Sequence, residues 1–187
     1  PETPDAHLLK ESGYAVVSKN QGHKLILDVG KIGPDYQPGH AHADTLSFEL
    51  SLFGQRIFVN SGTSRYGASE ERLRQRKTKA HNTVEIDRQD SSEVWSGFRV
   101  ARRATPTLEA FEKTGDSTHI QASHDGYRRL KGKNTHRRSW EMKTGNLLIH
   151  DTIEGKCDTA TARFYVHPDI ALEYTASKST ISATLQG

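Results

Sequence analysis

The sequence predicts an all-β fold, an antiparallel β-sandwich (supersandwich-like) with at most one short helix. Three observations predict it. Apolar and polar residues alternate with a period of two over many short segments, as they do when one face of a strand is buried and the other is wet. Glycine, asparagine, aspartate and proline fall between those segments at regular intervals, the punctuation of a sandwich. Only Ala68–Lys77 (ASEERLRQRK) departs from the pattern, and it suits one short helix or a polar loop.

In chain order, Tyr14–Lys19 (YAVVSK) and His23–Gly30 (HKLILDVG) form the first pair, joined by Asn20, Gln21 and Gly22 as a hairpin. Thr45–Gly54 (TLSFELSLFG) and Gln55–Gly62 (QRIFVNSG) form the second, again with glycine at the turn. Further strands are expected in His81–Asp87, Phe98–Thr105, Thr105–Lys113, Ser117–Gly126, His136–Lys143, Asn146–Gly155 and Ala160–Asp169. No internal repeat, low-complexity stretch or linker divides the chain, so residues 1–187 read as one domain, long enough to bury a sizeable core.

The composition is polar, with 33% hydrophobic residues and a mean hydropathy of −0.74, yet the apolar residues are clustered, which argues against disorder. No apolar run reaches the length of a membrane span, and no signal peptide opens the chain. The first residue is Pro1 rather than methionine, so a fragment or processed chain is expected, with any export signal upstream. A single cysteine, Cys157, excludes an internal disulfide. The net charge of +3 is concentrated in Arg72–Lys79 and Tyr127–Arg138. Such patches attract polyanions, whether nucleic acid, anionic polysaccharide or a phosphate-rich surface, although charge runs also serve as solvated strand faces.

The segment Pro38–Leu50 (PGHAHADTLSFEL) concentrates chelating residues at the mouth of a strand. If the strand began there, His40, His42, Asp44, Leu46, Phe48 and Leu50 would share one face. Pro38 and Gly39 suit a bend just before it. Two imidazoles so placed can reach one ion, but zinc needs three or four ligands, and the pair alone is equally consistent with two partly exposed histidines. A cupin site would need a glutamate sooner than Glu49. A glycoside hydrolase needs two carboxylates across one bond, and Asp44 and Glu49 would point to opposite faces.

The stretches Pro38–Tyr66 (PGHAHADTLSFELSLFGQRIFVNSGTSRY), Arg72–Asp87 (RLRQRKTKAHNTVEID) and Ser123–Arg138 (SHDGYRRLKGKNTHRR) occur in an order that resembles the C-terminal region of heparinase II/III-like proteins. The likeness runs from about Asp28 to about Pro168. It implies the β-sandwich half of a polysaccharide lyase acting on uronic-acid polymers such as heparan sulfate or alginate. An upstream α/α toroid, absent from this chain, would supply much of the catalytic machinery. The partners implied are an anionic polysaccharide and that toroid, with no nucleic acid and no membrane span. The implied location is periplasmic or secreted.

By the same resemblance, His40 faces the cleft as the catalytic histidine, and His42 and His81 are zinc ligands. The third ligand position, commonly aspartate in a V-D-S-G-T stretch, is Asn60 here, which lowers the expected affinity for Zn²⁺ because an amide brings no charge. Arg72 and Arg76 are the candidates for substrate or interdomain contact, since a guanidinium can grip a carboxylate or sulfate with two prongs. Their alternative is an exposed helix face. Tyr66 reads as packing, and His124, Asp125, Tyr127, His136 and Arg138 read chiefly as structural. The chemistry implied is β-elimination: an acidified C5 proton is removed from the uronate and the leaving oxygen is protonated. The other reading is a non-catalytic module that binds or scaffolds an anionic glycan and whose metal site has decayed at Asn60.

Overall fold

The computed structural model describes residues 5–176 and 181–186. Two antiparallel sheets face each other. The first is a five-stranded meander of β1 (Ala6–Leu9), β2 (Tyr14–Lys19), β3 (His23–Asp28), β4 (Phe48–Leu52) and β5 (Gln55–Phe58), in that spatial order. A helix α1 (Glu70–Arg76) and three short strands follow: β6 (Val84–Ile86), β7 (Val94–Trp95) and β8 (Arg99–Val100). The second sheet is four-stranded, with β9 (Pro106–Thr114), β10 (Ser117–His124), β11 (Thr135–Lys143) and β12 (Asn146–Glu154) each beside its sequence neighbour. β13 (Ala160–Ala162) returns to pair with β6, while β14 (Ala171–Ala176) pairs with β15 (Ile181–Gln186).

The period-two pattern accounts for the packing. Ala15 and Val17 of β2 and Leu25 and Leu27 of β3 point inward, with Phe48 and Leu50 of β4 beside them. They meet Ile120 and Ala122 of β10 and Trp140 and Met142 of β11 in one core. Each large apolar side chain buried in this way contributes roughly 1.5–3 kcal/mol relative to exposure. Register follows the turns. Lys19 pairs with His23 across a turn in which Gln21 and Gly22 have φ of 63° and 76°. Leu52 pairs with Gln55 across Phe53 and Gly54, both at positive φ, the geometry that matches strand twist in a two-residue hairpin. A Cβ on Gly22 would lie 2.9 Å from the backbone nitrogen of Gly54, so the two hairpin tips touch only because that position is glycine.

Three expectations change. The strand expected from Thr45 begins at Phe48. Leu46 adopts φ of 63°, its N–H donates to the Asp28 carbonyl (3.0 Å), and the Asp28 N–H donates to the Ser47 carbonyl (3.0 Å). This left-handed step re-aims the chain, so His40, His42, Asp44 and Leu46 do not line one strand face. Phe98–Thr105 supplies only β8, because Arg102 turns to Glu93 and Arg103 to Asp35. Ala160–Asp169 supplies only β13 and an isolated bridge from Val166 to Phe58. The helical alternative for Ala68–Lys77 is the one that forms, with the Ser69 side chain accepting from the Arg72 N–H at its N-terminus.

Candidate metal centre and cleft face

Helix α1 organises the site. Its arginines Arg72 and Arg76 are four apart and so share a face, which points inward rather than to solvent. Both are 0% exposed. Arg76 donates to the carbonyls of Ala41 (2.9 Å), Ser96 (3.0 Å) and Arg99 (2.9 Å). Arg72 donates to the Gly97 carbonyl (3.3 Å), to Thr63 Oγ1 (2.7 Å) and to His42 Nε2 (3.0 Å). A guanidinium has five donors and no acceptor, which suits it to gather carbonyls from separate loops. Neither arginine has the exposed placement that substrate contact or a solvated helix face would require.

The histidine motif hangs from this helix. Pro38–His40 forms a single 3-10 turn. Beyond it the Ala43 N–H donates to the Arg76 carbonyl (2.8 Å), and Thr78 Oγ1 donates to the Ala43 carbonyl (2.8 Å). The result separates the two histidines. His40 is exposed, its ring edge-on to Tyr66 (5.9 Å) and Phe98 (6.2 Å). His42 turns inward, its ring centre 5.3 Å from that of His81.

His42, Asp44 and His81 each offer a ligand atom, and these atoms lie within 4.8 Å of one another. His81 is fully buried. Its Nδ1 bonds to Asn60 Oδ1 (2.9 Å), while its Nε2 has no partner. Asn60 is oriented by donating to Ser47 Oγ (3.1 Å) and accepting from the Ser61 N–H (3.2 Å). Its carbonyl oxygen therefore holds the Nδ1–H of His81 and leaves the Nε2 lone pair free, the arrangement that outer partners impose on metal-bound histidines. Asn60 is thus occupied as an orienting group, and the carboxylate comes from Asp44. The sequence placed Asp44 beside the histidines but gave it no ligand role. The H-x-H-x-D spacing was the signal for it.

Electrostatics favour neutral imidazoles. Burial pushes His42 down to about 4, with His81 and the two arginines adding to the effect and Asp44 opposing it. Burial also holds His81 at about 4. Burial raises Asp44, against the pull of His42. On its far side Asp44 lines a cavity of about 80 Å³ shared with Tyr14, Asp28 and Glu49, where burial and Asp44 push Asp28 up to about 8. Nothing in the sequence pattern pointed to Asp28. Two neutral imidazoles, a carboxylate and an orphaned buried nitrogen fit a divalent transition metal of the zinc type. A metal on His42 Nε2 would take the lone pair that Arg72 now uses.

A second polar cluster lies beneath the site. His124 Nδ1 accepts from the Gly126 N–H (3.2 Å), so the proton of its neutral ring sits on Nε2, which faces His136 Nδ1 (3.2 Å). His136 Nε2 donates to Asp151 Oδ1 (2.7 Å). Arg138 grips the same carboxylate at 2.7 and 2.8 Å and donates to the carbonyls of Leu46 (3.1 Å) and Asn82 (2.6 Å). Tyr127 donates to the Val84 carbonyl (2.7 Å). Burial would raise Asp151, but hydrogen bonds from His136 and Arg138 outweigh it and hold the carboxyl low. Burial lowers both His124 and His136.

The sign of the resulting pH dependence is fixed. Unfolded histidine takes up a proton near pH ~6.5, the folded rings do so only at lower pH, and between those values the unfolded chain binds more protons. Stability is full above about pH 6.5 and falls as the pH drops below it, by up to ~1.4 kcal/mol per pH unit for each histidine. Urea unfolding at a series of pH values should show this loss, and a His124→Gln, His136→Gln double variant should make it shallower, leaving the share of His42 and His81, which burial also lowers. An unchanged slope in that variant would remove the pair as its source.

Comparisons place this fold among known proteins. No curated protein sequence matches the chain. Among solved structures, the heparan sulfate lyase HepC from Pedobacter heparinus is 18% identical, with a TM-score of 0.75 over 96% of this chain and 27% of its own. Heparinase III is 22% identical, with a TM-score of 0.74 over 94% of this chain and 27% of its own. The chain therefore spans about a quarter of these relatives, and at such identities they show the fold. The profile described as heparinase II/III-like, C-terminal, matches residues 1–187, and with the sandwich and site in place the chain belongs to that family.

Proposed function

We propose that this domain forms part of a polysaccharide lyase that cleaves uronic-acid polymers, heparan sulfate-like or alginate-like, by β-elimination. The observation that carries it is the pairing of an exposed imidazole, His40, with the part-buried His42–Asp44–His81 group that begins two residues on, in a domain of this family. In this reading His40 faces the substrate. Elimination removes the C5 proton of the uronate, forms the C4=C5 double bond and expels the C4 oxygen, which takes up a proton. An imidazole can donate to the uronate carboxylate or exchange a proton near neutral pH. An upstream α/α toroid supplies the other side of the cleft, and the whole protein acts outside the cytoplasm, where such polymers lie. The full-length protein should generate the ultraviolet absorbance of an unsaturated uronate from heparan sulfate or alginate. Absence of that product from both polymers would overturn the reading.

His42, Asp44 and His81 would hold Zn²⁺, with Asn60 orienting His81. When bound, zinc supplies a fixed positive charge that pins the motif beneath His40. The chain's own residues keep the imidazoles neutral and His81 shielded from water. Elemental analysis should find near-stoichiometric zinc, lost in His81→Ala together with the melting-temperature gain that added zinc confers. Asn60→Ala should weaken zinc binding about 10–100-fold without abolishing it, as loss of an orienting partner does. If zinc content and melting temperature stay put in His81→Ala, the group is not a metal site.

A further inference from the structure

The loop between β7 and β8 carries an aromatic surface that the buried group does not explain. Phe98 is 43% exposed, Trp95 54% and Tyr66 71%. Exposed aromatic clusters on a soluble domain mark binding surfaces more often than isolated apolar residues do. Two of them flank His40, whose ring meets Tyr66 at 72° and Phe98 at 73°.

The loop is held from beneath. Arg76 donates to the carbonyls of Trp95 (3.4 Å), Ser96 (3.0 Å) and Arg99 (2.9 Å), and Arg72 donates to that of Gly97 (3.3 Å). Every residue from Trp95 to Arg99 except Phe98 thus has its carbonyl fixed by a buried guanidinium. A Cβ on Gly97 would lie 2.3 Å from the Gly67 carbonyl, so the loop is pressed against the segment that carries Tyr66. One exposed arginine, Arg99, follows Phe98 directly, and among the described residues it is in no ion pair. Arg99 lies over the Trp95 ring, 5.8 Å from its centre.

The geometry points to a sugar-stacking subsite: Phe98 and Tyr66, spanned by His40, take the C–H faces of pyranose rings, and Arg99 takes a carboxylate or sulfate group on the same chain. This rests on the proposed action on an anionic polysaccharide. A pyranose has an apolar face and a polar rim, and the patch offers both complements, aromatic rings and the guanidinium of Arg99 in the same hairpin.

The test is steady-state kinetics of the full-length protein on the polymer it cleaves, with Phe98→Ala and Phe98→Tyr. Phe98→Ala should raise KM about tenfold and leave kcat within about threefold, since a stacking contact made in both ground and transition states is uniform binding. Phe98→Tyr should keep the wild-type KM, and neither change should alter the melting temperature or zinc content. An unchanged KM in Phe98→Ala overturns the subsite. So does a fall in kcat with a lowered melting temperature, which would make Phe98 a packing residue against another domain. If wild type forms no unsaturated product, the lyase reading fails and affinity electrophoresis decides the subsite alone. Retardation by heparan sulfate but not by neutral dextran, lost in Phe98→Ala, would support it. Equal mobility of variant and wild type in the heparan sulfate gel would overturn it.

Discussion

His40→Ala in the full-length protein is expected to lower kcat for unsaturated-product formation by ~10²–10⁴-fold, the usual share of a positioned proton-transfer group, with little change in melting temperature. The second half of that expectation follows from exposure. His40 is at the surface and touches only the rings of Tyr66 and Phe98, and surface changes of that kind stay within about 0.5 kcal/mol. His42→Ala is the contrast. It removes an acceptor for the buried Arg72 and a member of the His42–Asp44–His81 group, so it should lower both stability and activity. Activity measured beside calorimetry separates the two. Full turnover in His40→Ala would take His40 out of the chemistry and leave the fold assignment intact.

Arg138→Met should cost about 3–5 kcal/mol, the penalty for stranding one partner of a buried ion pair. Arg138 is 0% exposed, and its loss leaves Asp151 with His136 alone and takes a donor from the carbonyls of Leu46 and Asn82. For a chain of this size that corresponds to a fall in melting temperature of roughly 10 °C or more. Arg138→Lys should recover little, because an ammonium cannot reproduce the two-pronged grip on Asp151. Adding Asp151→Leu to Arg138→Met should recover part of the loss, since removing both charges ends the desolvation debt. A single-variant cost below about 1 kcal/mol would mean that water reaches the pair.

The strands that build the two sheets were legible because their alternation reports a wet and a dry face. Tyr14–Lys19 is the plain case, with Ala15 and Val17 inward. The same rule misled at His40–Leu46. There the alternation is real, but Leu46 lies in the left-handed region and the chain is pinned by Arg76, a contact 35 residues away that no local pattern reveals. The edge strand Ala6–Leu9 and β7 are too short to leave a periodic trace, and β8 is only a fragment of the strand expected over Phe98–Thr105. At the site, the spacing brought out His40 and His42, and the likeness brought out His81 and Asn60. What one sequence could not say is which polar side chain touches which. Asn60 is spent on His81, Asp44 stands where a carboxylate was missed, and Arg72 and Arg76 face inward because seven carbonyl, hydroxyl and imidazole contacts outcompete water for them.

Asn82, next to His81, is fully buried and donates to the carbonyls of Phe48 (2.9 Å) and Val59 (3.0 Å) while accepting from the Tyr165 N–H (2.6 Å). Those contacts span 34, 23 and 83 residues of chain. Loops of that length close slowly, and their closure costs entropy before any contact repays it. The imidazole beside Asn82 therefore reaches its place only when the first sheet and the segment after β13 have come together. A metal held by this group would therefore find its site only after the barrier is crossed, and would add to the lifetime of the finished protein rather than to the speed with which it is made.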